Sequence, residues 1–263
     1  MMRKKDIDEL ITEVLQSVHW PEDAARVLAA SSHVITYVKG SSIFHAGEPA
    51  DLLYVLLSGE AKIYYTSPSG ERLLVDIACA RQALGRLPLP GDDEDAVQGF
   101  SAEALSCCSV ALITRTRVAS MASTLPLKAI GRMAHHQVGE WARLSERALV
   151  YLTMDVRGRL GMAIDDISSR FGIADARGTL IPLRLSHEDF GELIGASRPM
   201  VSKHLKELAD GGVFYKAGGR YVLARREALH ARGHERPEPE VQPRPARPRR
   251  AQRAVSLHVV HST

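Results

Sequence analysis

Cysteine is scarce in this chain: Cys79, Cys107 and Cys108 are the only three among 263 residues. An odd count without a C-x-x-C pair supports neither a disulfide framework nor a zinc site, so reduced, buried thiols are expected. Cys107 and Cys108 are adjacent on an expected strand, which turns one inward and one outward. A redox role would need an exposed, low-pKa thiolate, which a sequence does not show. Apolar runs are short, and none approaches the roughly 20 residues a membrane helix needs. The opening "MMRKKDIDELITEVLQSVHW" is basic but holds no apolar block before a small-residue cleavage site. It does not read as a signal peptide, and a cytoplasmic protein without membrane contact is expected. Catalytic signatures are missing too. No G-x-S-x-G, phosphate-loop lysine motif or H-E-x-x-H occurs, so no enzyme is expected. His135 and His136 are neighbours on a helix and face different directions, so no metal site is expected. Haem has no ligand pair, and the expected cofactor content is none. Nor does either sign of charge dominate: the formal net charge is +3, with 45% hydrophobic and 25% charged residues. Such a composition suits a soluble globular chain of about two domains.

Five stretches differ in texture. Residues 1–31 form an N-terminal helical segment. From 32 to 117, short β-branched and aliphatic runs alternate with turn residues, as in "HVITYVKGSSIFHAGEPADLLYVLLSGEAKIYYTSPSGERLLVDIA". That pattern predicts a β-rich sandwich or roll, its glycines supplying the backbone that tight turns require. "LLYVLL" is apolar on both faces and should be covered on both sides. In the third stretch, 118–153, Ile130, Ala134, Trp141, Leu144 and Ala148 recur at three- and four-residue steps after Pro126. This seam predicts one long helix packing lengthwise against a partner helix; the alternative is packing against its own domain.

Residues 154–229 form a compact unit that begins with a helix around Val156 to Phe171 and ends in "LSHEDFGELIGASRPMVSKHLKELADGGVFYKAGGRYVL". Ser186 with Asp189 is a capping-box-like start. Gly195 permits a sharp turn, Ser197 is a good second N-cap, and Pro199 falls in the first turn, where its missing N–H costs little. Along the second helix Val201, Leu205 and Leu208 make a buried stripe, which turns Pro199, Ser202, Lys203 and Lys206 outward with Arg198 on the flank. Two short helices joined by a tight turn, the second basic on its outer face, make a helix-turn-helix. Its use is to lay the second helix in the major groove of DNA, where Arg198 and Lys203 can donate to guanine. "VFYKAGGRYVL" is a hairpin wing whose Lys216 and Arg220 can approach phosphates. The last stretch, 230–263, is rich in proline and arginine and poor in core formers, a composition that predicts a disordered tail. Arg244, Arg247, Arg249, Arg250 and Arg253 could add salt-sensitive attraction to nucleic acid, or the tail could serve solubility.

The fold class is therefore α+β: an N-terminal roll, a long helix and a C-terminal winged helix-turn-helix. In that order the parts resemble the CRP/FNR family of bacterial transcription regulators, with a cyclic-nucleotide-binding-like roll. The resemblance rests on "VKGSSIFHAGEPADLLYVLLSGEAKIYY", "DVRGRLGMAI" and "LSHEDFGELIGASRPMVSKHLKEL". It implies a homodimer joined along the long helices, double-stranded DNA with an inverted repeat as ligand, and RNA polymerase as partner. The implied DNA-contacting set is Ser186, His187, Ser197, Arg198, Pro199, Met200, Ser202, Lys203, Lys206, Lys216 and Arg220.

The family's cyclic-AMP readers carry Gly-Glu-Leu in the roll, and an arginine for the cyclic phosphate ahead of a small-residue strand. Here the first motif is Gly85-Arg86-Leu87, and Gly99-Phe100 precede the strand "SAEALSCCSVALI" that starts at Ser101. Where those readers carry Thr-Ser in the long helix, this chain has Leu144-Ser145. Gly85, Arg86, Leu87, Ser101 and Ser145 mark the possible effector pocket, yet the groups that hold the nucleotide are replaced, so tight cyclic-AMP binding is not expected. Alternatives are a regulator sensing another small molecule or redox state through the roll, and a signalling module without DNA contact. In the recognition helix Ser197 and Arg198 match the CRP-like pattern, Pro199 replaces a glutamate and Lys203 replaces an arginine, so the half-site should differ.

Overall fold

The computed structural model describes residues 3–86 and 95–229, except for the side chains of ten residues between 136 and 151. The tail from 230 onward and Leu87 therefore lie outside the described residues, as do the side chains of Trp141 and Leu144.

Two amphipathic helices, α1 (Lys4–Ser17) and α2 (Glu22–Ala30), open the chain and bury Ile11, Leu15, Ala25 and Leu28. Eight strands follow: β1 (His33–Tyr37), β2 (Ser42–Phe44), β3 (Leu52–Ser58), β4 (Glu60–Thr66), β5 (Arg72–Cys79), β6 (Gln82–Leu84), β7 (Ser101–Ala104) and β8 (Cys108–Thr114). They form two antiparallel sheets, ordered β1-β8-β3-β6 and β2-β7-β4-β5. Between them lies an interior of Ile43, Phe44, Tyr54, Leu56, Ala61, Ala102 and Val110, with the Phe44 and Tyr54 ring centroids 4.7 Å apart. The doubly apolar β3 is now explained: Leu53, Val55 and Leu57 face α1 and α2, while Tyr54 and Leu56 face the roll interior. Period-two alternation across a strand with two apolar partners leaves no polar face.

"SAEALSCCSVALI", read as one strand, is two. β7 belongs to one sheet and β8 to the other, so the chain must cross between them, and Leu105 and Ser106 turn against Glu60 to do it. The thiols also differ from expectation, since only Cys108 is buried; Cys79 is half-buried and Cys107 exposed.

The chain enters the long helix in two steps. Residues 118–126, read with that helix, belong to α3 (Arg115–Ala122) and a connector that ends at Pro126, and α4 runs from Leu127 to Thr153. Val118 and Ala122 are buried beside α1 and α2, and Met133 near the start of α4 joins them. Beyond that point α4 exposes apolar side chains.

The last domain comprises α5 (Val156–Phe171), β9 (Ile173–Asp175), β10 (Gly178–Ile181), α6 (His187–Ile194), α7 (Arg198–Asp210), β11 (Phe214–Ala217) and β12 (Arg220–Leu223). The wing is a four-stranded sheet, β11-β12-β10-β9, rather than a lone hairpin. Few aromatics exist to be spent, and three meet here: Phe214 stacks on Tyr221 at 4.8 Å, with Phe190 edge-on to both. The same core extends outside the domain. Tyr64, Leu74, Ile77 and Leu105 of the roll pack in one cluster with Leu160, Ile164, Phe190, Leu193 and Ile194.

Candidate nucleic-acid interface

The geometry of α6 begins with its cap. Ser186 Oγ accepts the Asp189 N–H at 3.1 Å, and Asp189 Oδ2 accepts the Ser186 N–H at 2.7 Å, closing the capping box read from the sequence. Burial pushes the Asp189 carboxyl up, but hydrogen bonds from Lys62 and Ser186 outweigh it and hold the group below its ordinary pKa. At the other end Gly195 takes the left-handed conformation, φ 59°, and donates its N–H to Gly191 O. Gly191 itself is a close approach: a Cβ there would stand 2.7 Å from the Ala196 carbonyl oxygen. The tight turn between α6 and α7 therefore requires glycine at both positions.

Ser197 occupies the N-cap of α7 as expected, but its side chain makes no capping hydrogen bond, and Pro199 sits in the first turn. Val201, Leu205 and Leu208 are buried, while Ser197, Arg198, Pro199, Met200, Lys203 and Lys206 are exposed. Ser202 is half-buried and lies 2.7 Å from His187 Nδ1, a contact that ties the start of α6 to the middle of the reading helix. Burial lowers the His187 pKa, and the positive charges of Lys216 and Arg198 lower it further. These three groups, drawn from α6, α7 and the wing, share one electropositive neighbourhood. Lys216 is exposed on β11 with its ammonium 5.4 Å from the Tyr221 ring centroid, and Arg220 is exposed at the start of β12. Every residue of the anticipated DNA-contacting set thus lies on α6, on α7, at one of their N-caps or on the wing. A helix N-terminus flanked by cations, with an apolar stripe seating it on the domain, can enter a groove and meet both base edges and phosphates.

The residues marked for an effector pocket are placed less simply. The Arg86 N–H donates to Gln98 Oε1 at 2.8 Å, and Gly85 packs against the same buried Gln98 side chain. Ser101 is buried and its Oγ accepts the Ala46 N–H at 2.9 Å, whereas Ser145 is exposed on α4. Gln98 was not foreseen, because a glutamine in a loop gives no signal until its buried amide oxygen is seen to accept the Arg86 N–H. On α4, Ile130, Ala134 and Ala148 are exposed, as are Leu127, Val138, Leu149 and Leu152. Among the described residues no group of three or more potential ligand side chains could hold a metal ion, and no helix is long and apolar enough to cross a membrane.

A β-roll carrying a winged helix-turn-helix whose reading face is open to solvent defines a DNA-binding regulator by class. Comparison with known proteins agrees. Residues 34–124 match the cyclic nucleotide-binding domain, and residues 147–232 match the Crp-like helix-turn-helix domain. The chain is 25% identical over 231 residues to the CRP-like cAMP-activated global transcriptional regulator of Mycobacterium tuberculosis, covering 86% of this chain and 99% of that protein. It is 28% identical over 226 residues to the nitrogen fixation regulation protein FixK of Azorhizobium caulinodans, covering 83% and 87%. Among solved structures, the c-di-GMP responsive regulator CLP of Xanthomonas campestris superposes with a TM-score of 0.65 at 21% identity, over 77% of this chain and 99% of that one. FixK2 of Bradyrhizobium japonicum gives 0.63 at 21% identity, over 76% and 96%. The chain belongs to the CRP/FNR family of transcription regulators.

Proposed function

We propose that the protein binds an inverted-repeat DNA site as a homodimer joined along α4, reads it with α7, and acts in the cytoplasm with RNA polymerase as its partner. The observation that carries this is the solvent-open face of α7, with Arg198, Lys203 and Lys206 projecting from a helix whose opposite stripe is buried. The apolar stripe along α4 supports the dimer, because Leu127 and Leu152 are 84% and 82% exposed and a second copy of the helix would cover them. Arg198, matched to the CRP-like pattern, would donate to a guanine; Pro199 cannot accept from a base amino group and would offer an apolar contact.

Control by cyclic AMP is not part of this proposal. The nucleotide-holding glutamate is replaced by Arg86, no arginine precedes Ser101, and the Ser101 hydroxyl already serves the Ala46 N–H. The names of two relatives carry different effectors, cAMP in one and c-di-GMP in the other, so the shared fold does not itself fix the ligand.

Selection of sites from a randomised duplex pool, followed by anisotropy titrations across a salt series, tests the reading. Enrichment of a palindrome with salt-dependent affinity is expected; a strictly monomeric protein, or one that enriches no palindrome, would falsify it. Mass measurement of the native protein before any stripping distinguishes an empty roll from one that retains a small molecule.

A further inference from the structure

Two antiparallel strands of the roll pack against α6, the first helix of the helix-turn-helix: ion pairs hold Asp189 and Glu192, and the partly exposed Leu73 lies beside the turn at its far end. Lys62 of β4 reaches the Asp189 carboxylate and lies 3.8 Å from Glu192; Lys62 is only 11% and Asp189 only 9% exposed at the side chain. Asp189 is the residue that completes the α6 capping box, so the roll's ammonium rests on the group that fixes where this helix starts. Arg72 of β5 extends the network, 3.1 Å from Glu103 of β7 and 3.4 Å from Glu192, with its guanidinium 3.8 Å over the Tyr64 ring. At the far end of α6, Leu73 Cδ2 lies 3.7 Å from where a Cβ on Gly195 would stand, beside the turn into α7. A second ion pair, Arg170 of α5 with Asp76 of β5 at 2.5 Å, restrains the domain from another side.

This grip is built for geometry more than for stability. A buried ion pair gains little net free energy over an apolar replacement, because desolvation offsets the attraction, but it tolerates few alternative arrangements. The seam is also incompletely satisfied, since Arg72 Nε and Glu192 Oε2 are buried without a hydrogen-bond partner. The grip does not cover the reading face, because Arg198, Lys203 and Lys206 stay exposed while it is closed. It therefore positions α7 rather than blocking it.

We infer that Lys62 and Leu73, on the β4–β5 hairpin, are positioning residues that set which half-site spacing this regulator accepts, by fixing α6 and hence α7 relative to the roll. The inference rests on the homodimer reading above. Each base pair inserted between two half-sites turns them about 35° and separates them by roughly a further 3.4 Å. A reader held rigidly must refuse such a site; one on a loosened mount can follow it.

The test titrates the full chain against a duplex with a single half-site, the selected inverted repeat, and the same repeat with one or two base pairs inserted at its centre. The wild type should prefer the selected spacing by about tenfold. Lys62→Met and Leu73→Ser should bind the single half-site within about twofold of the wild type but discriminate spacing about fivefold less, and Lys62→Arg should restore discrimination. A merely structural role would lower the melting temperature while leaving discrimination intact in variants that still bind the half-site, and that result overturns the inference. Loss of half-site binding in both variants overturns it as well. Failure of the wild type to prefer any palindrome would instead refute the dimer reading beneath it.

Discussion

Arg198 is the residue on which the proposed base recognition turns. It is exposed at the first position of α7, where a guanidinium can reach two acceptors on one guanine edge. Arg198→Ala should cost about 1–3 kcal/mol on the preferred site and relax the base at one position, as read by titration on single-substituted sites. Equal weakening on every sequence would make it a phosphate contact. Two neighbouring carboxyls give opposite pH signatures. Asp189 lies below its ordinary pKa, so the stability it contributes is present above the unfolded value and is lost as pH falls through the folded one. Glu192 lies above its ordinary value, because burial raises it more than Lys62 and Arg72 lower it. The fold therefore takes up that proton before the unfolded chain does, and gains stability as pH drops through the raised pKa of the folded state. Glu192→Gln should melt at least as high as the wild type at neutral pH, with the difference closing on acidification. A variant that melts well below the wild type at neutral pH would show that its ion pairs outweigh its burial.

At the scale of elements, the turn and the wing carry separate duties. A methyl on Gly191 meets the Ala196 carbonyl oxygen, which is backbone and cannot swing aside. Gly191→Ala should lose about 1–3 kcal/mol in urea unfolding, and DNA binding with it, because the angle between α6 and α7 opens. Lys216→Ala or Arg220→Ala should weaken binding equally on all sequences and reduce the salt slope by about one per charge removed. These elements were legible in the sequence because their signals are local. Ser186 and Asp189 lie three residues apart, Gly195 sits at a helix end, and the Val201, Leu205, Leu208 stripe completes within two turns. Other features were not legible, because they depend on partners far along the chain. "SAEALSCCSVALI" has the texture of one strand, and only its membership of two sheets breaks it at Leu105–Cys107. The short β9 and β10 gave no sequence signal, since three or four residues offer no period to recognise. Lys62 alternates with apolar residues on β4 as any solvated lysine would, and nothing near it in sequence names Asp189 as its partner.

For the whole molecule, the order of parts was the strongest sequence signal: a turn-punctuated roll, a long helix, then a capped helix pair. What it concealed is how tightly the first and last parts are joined. Dimerisation belongs to this scale, and Val138 and Leu149 lie on the exposed apolar stripe of α4. Leu149→Asp should yield a monomer by sedimentation equilibrium and forfeit about a hundredfold or more in palindrome affinity, while single half-site binding persists. Dimers of unchanged strength would move the interface elsewhere.

Tyr64, Leu74, Ile77 and Leu105 belong at once to the roll and to the core beneath the reading helices. Modular engineering of this regulator therefore has no clean cut at Asp155, where the sequence texture changes. A chimera that transplants only the residues after that point would bring an uncovered hydrophobic wound with it. Grafts that carry the β4–β5 ribbon along with the winged domain should stay soluble where shorter ones clump.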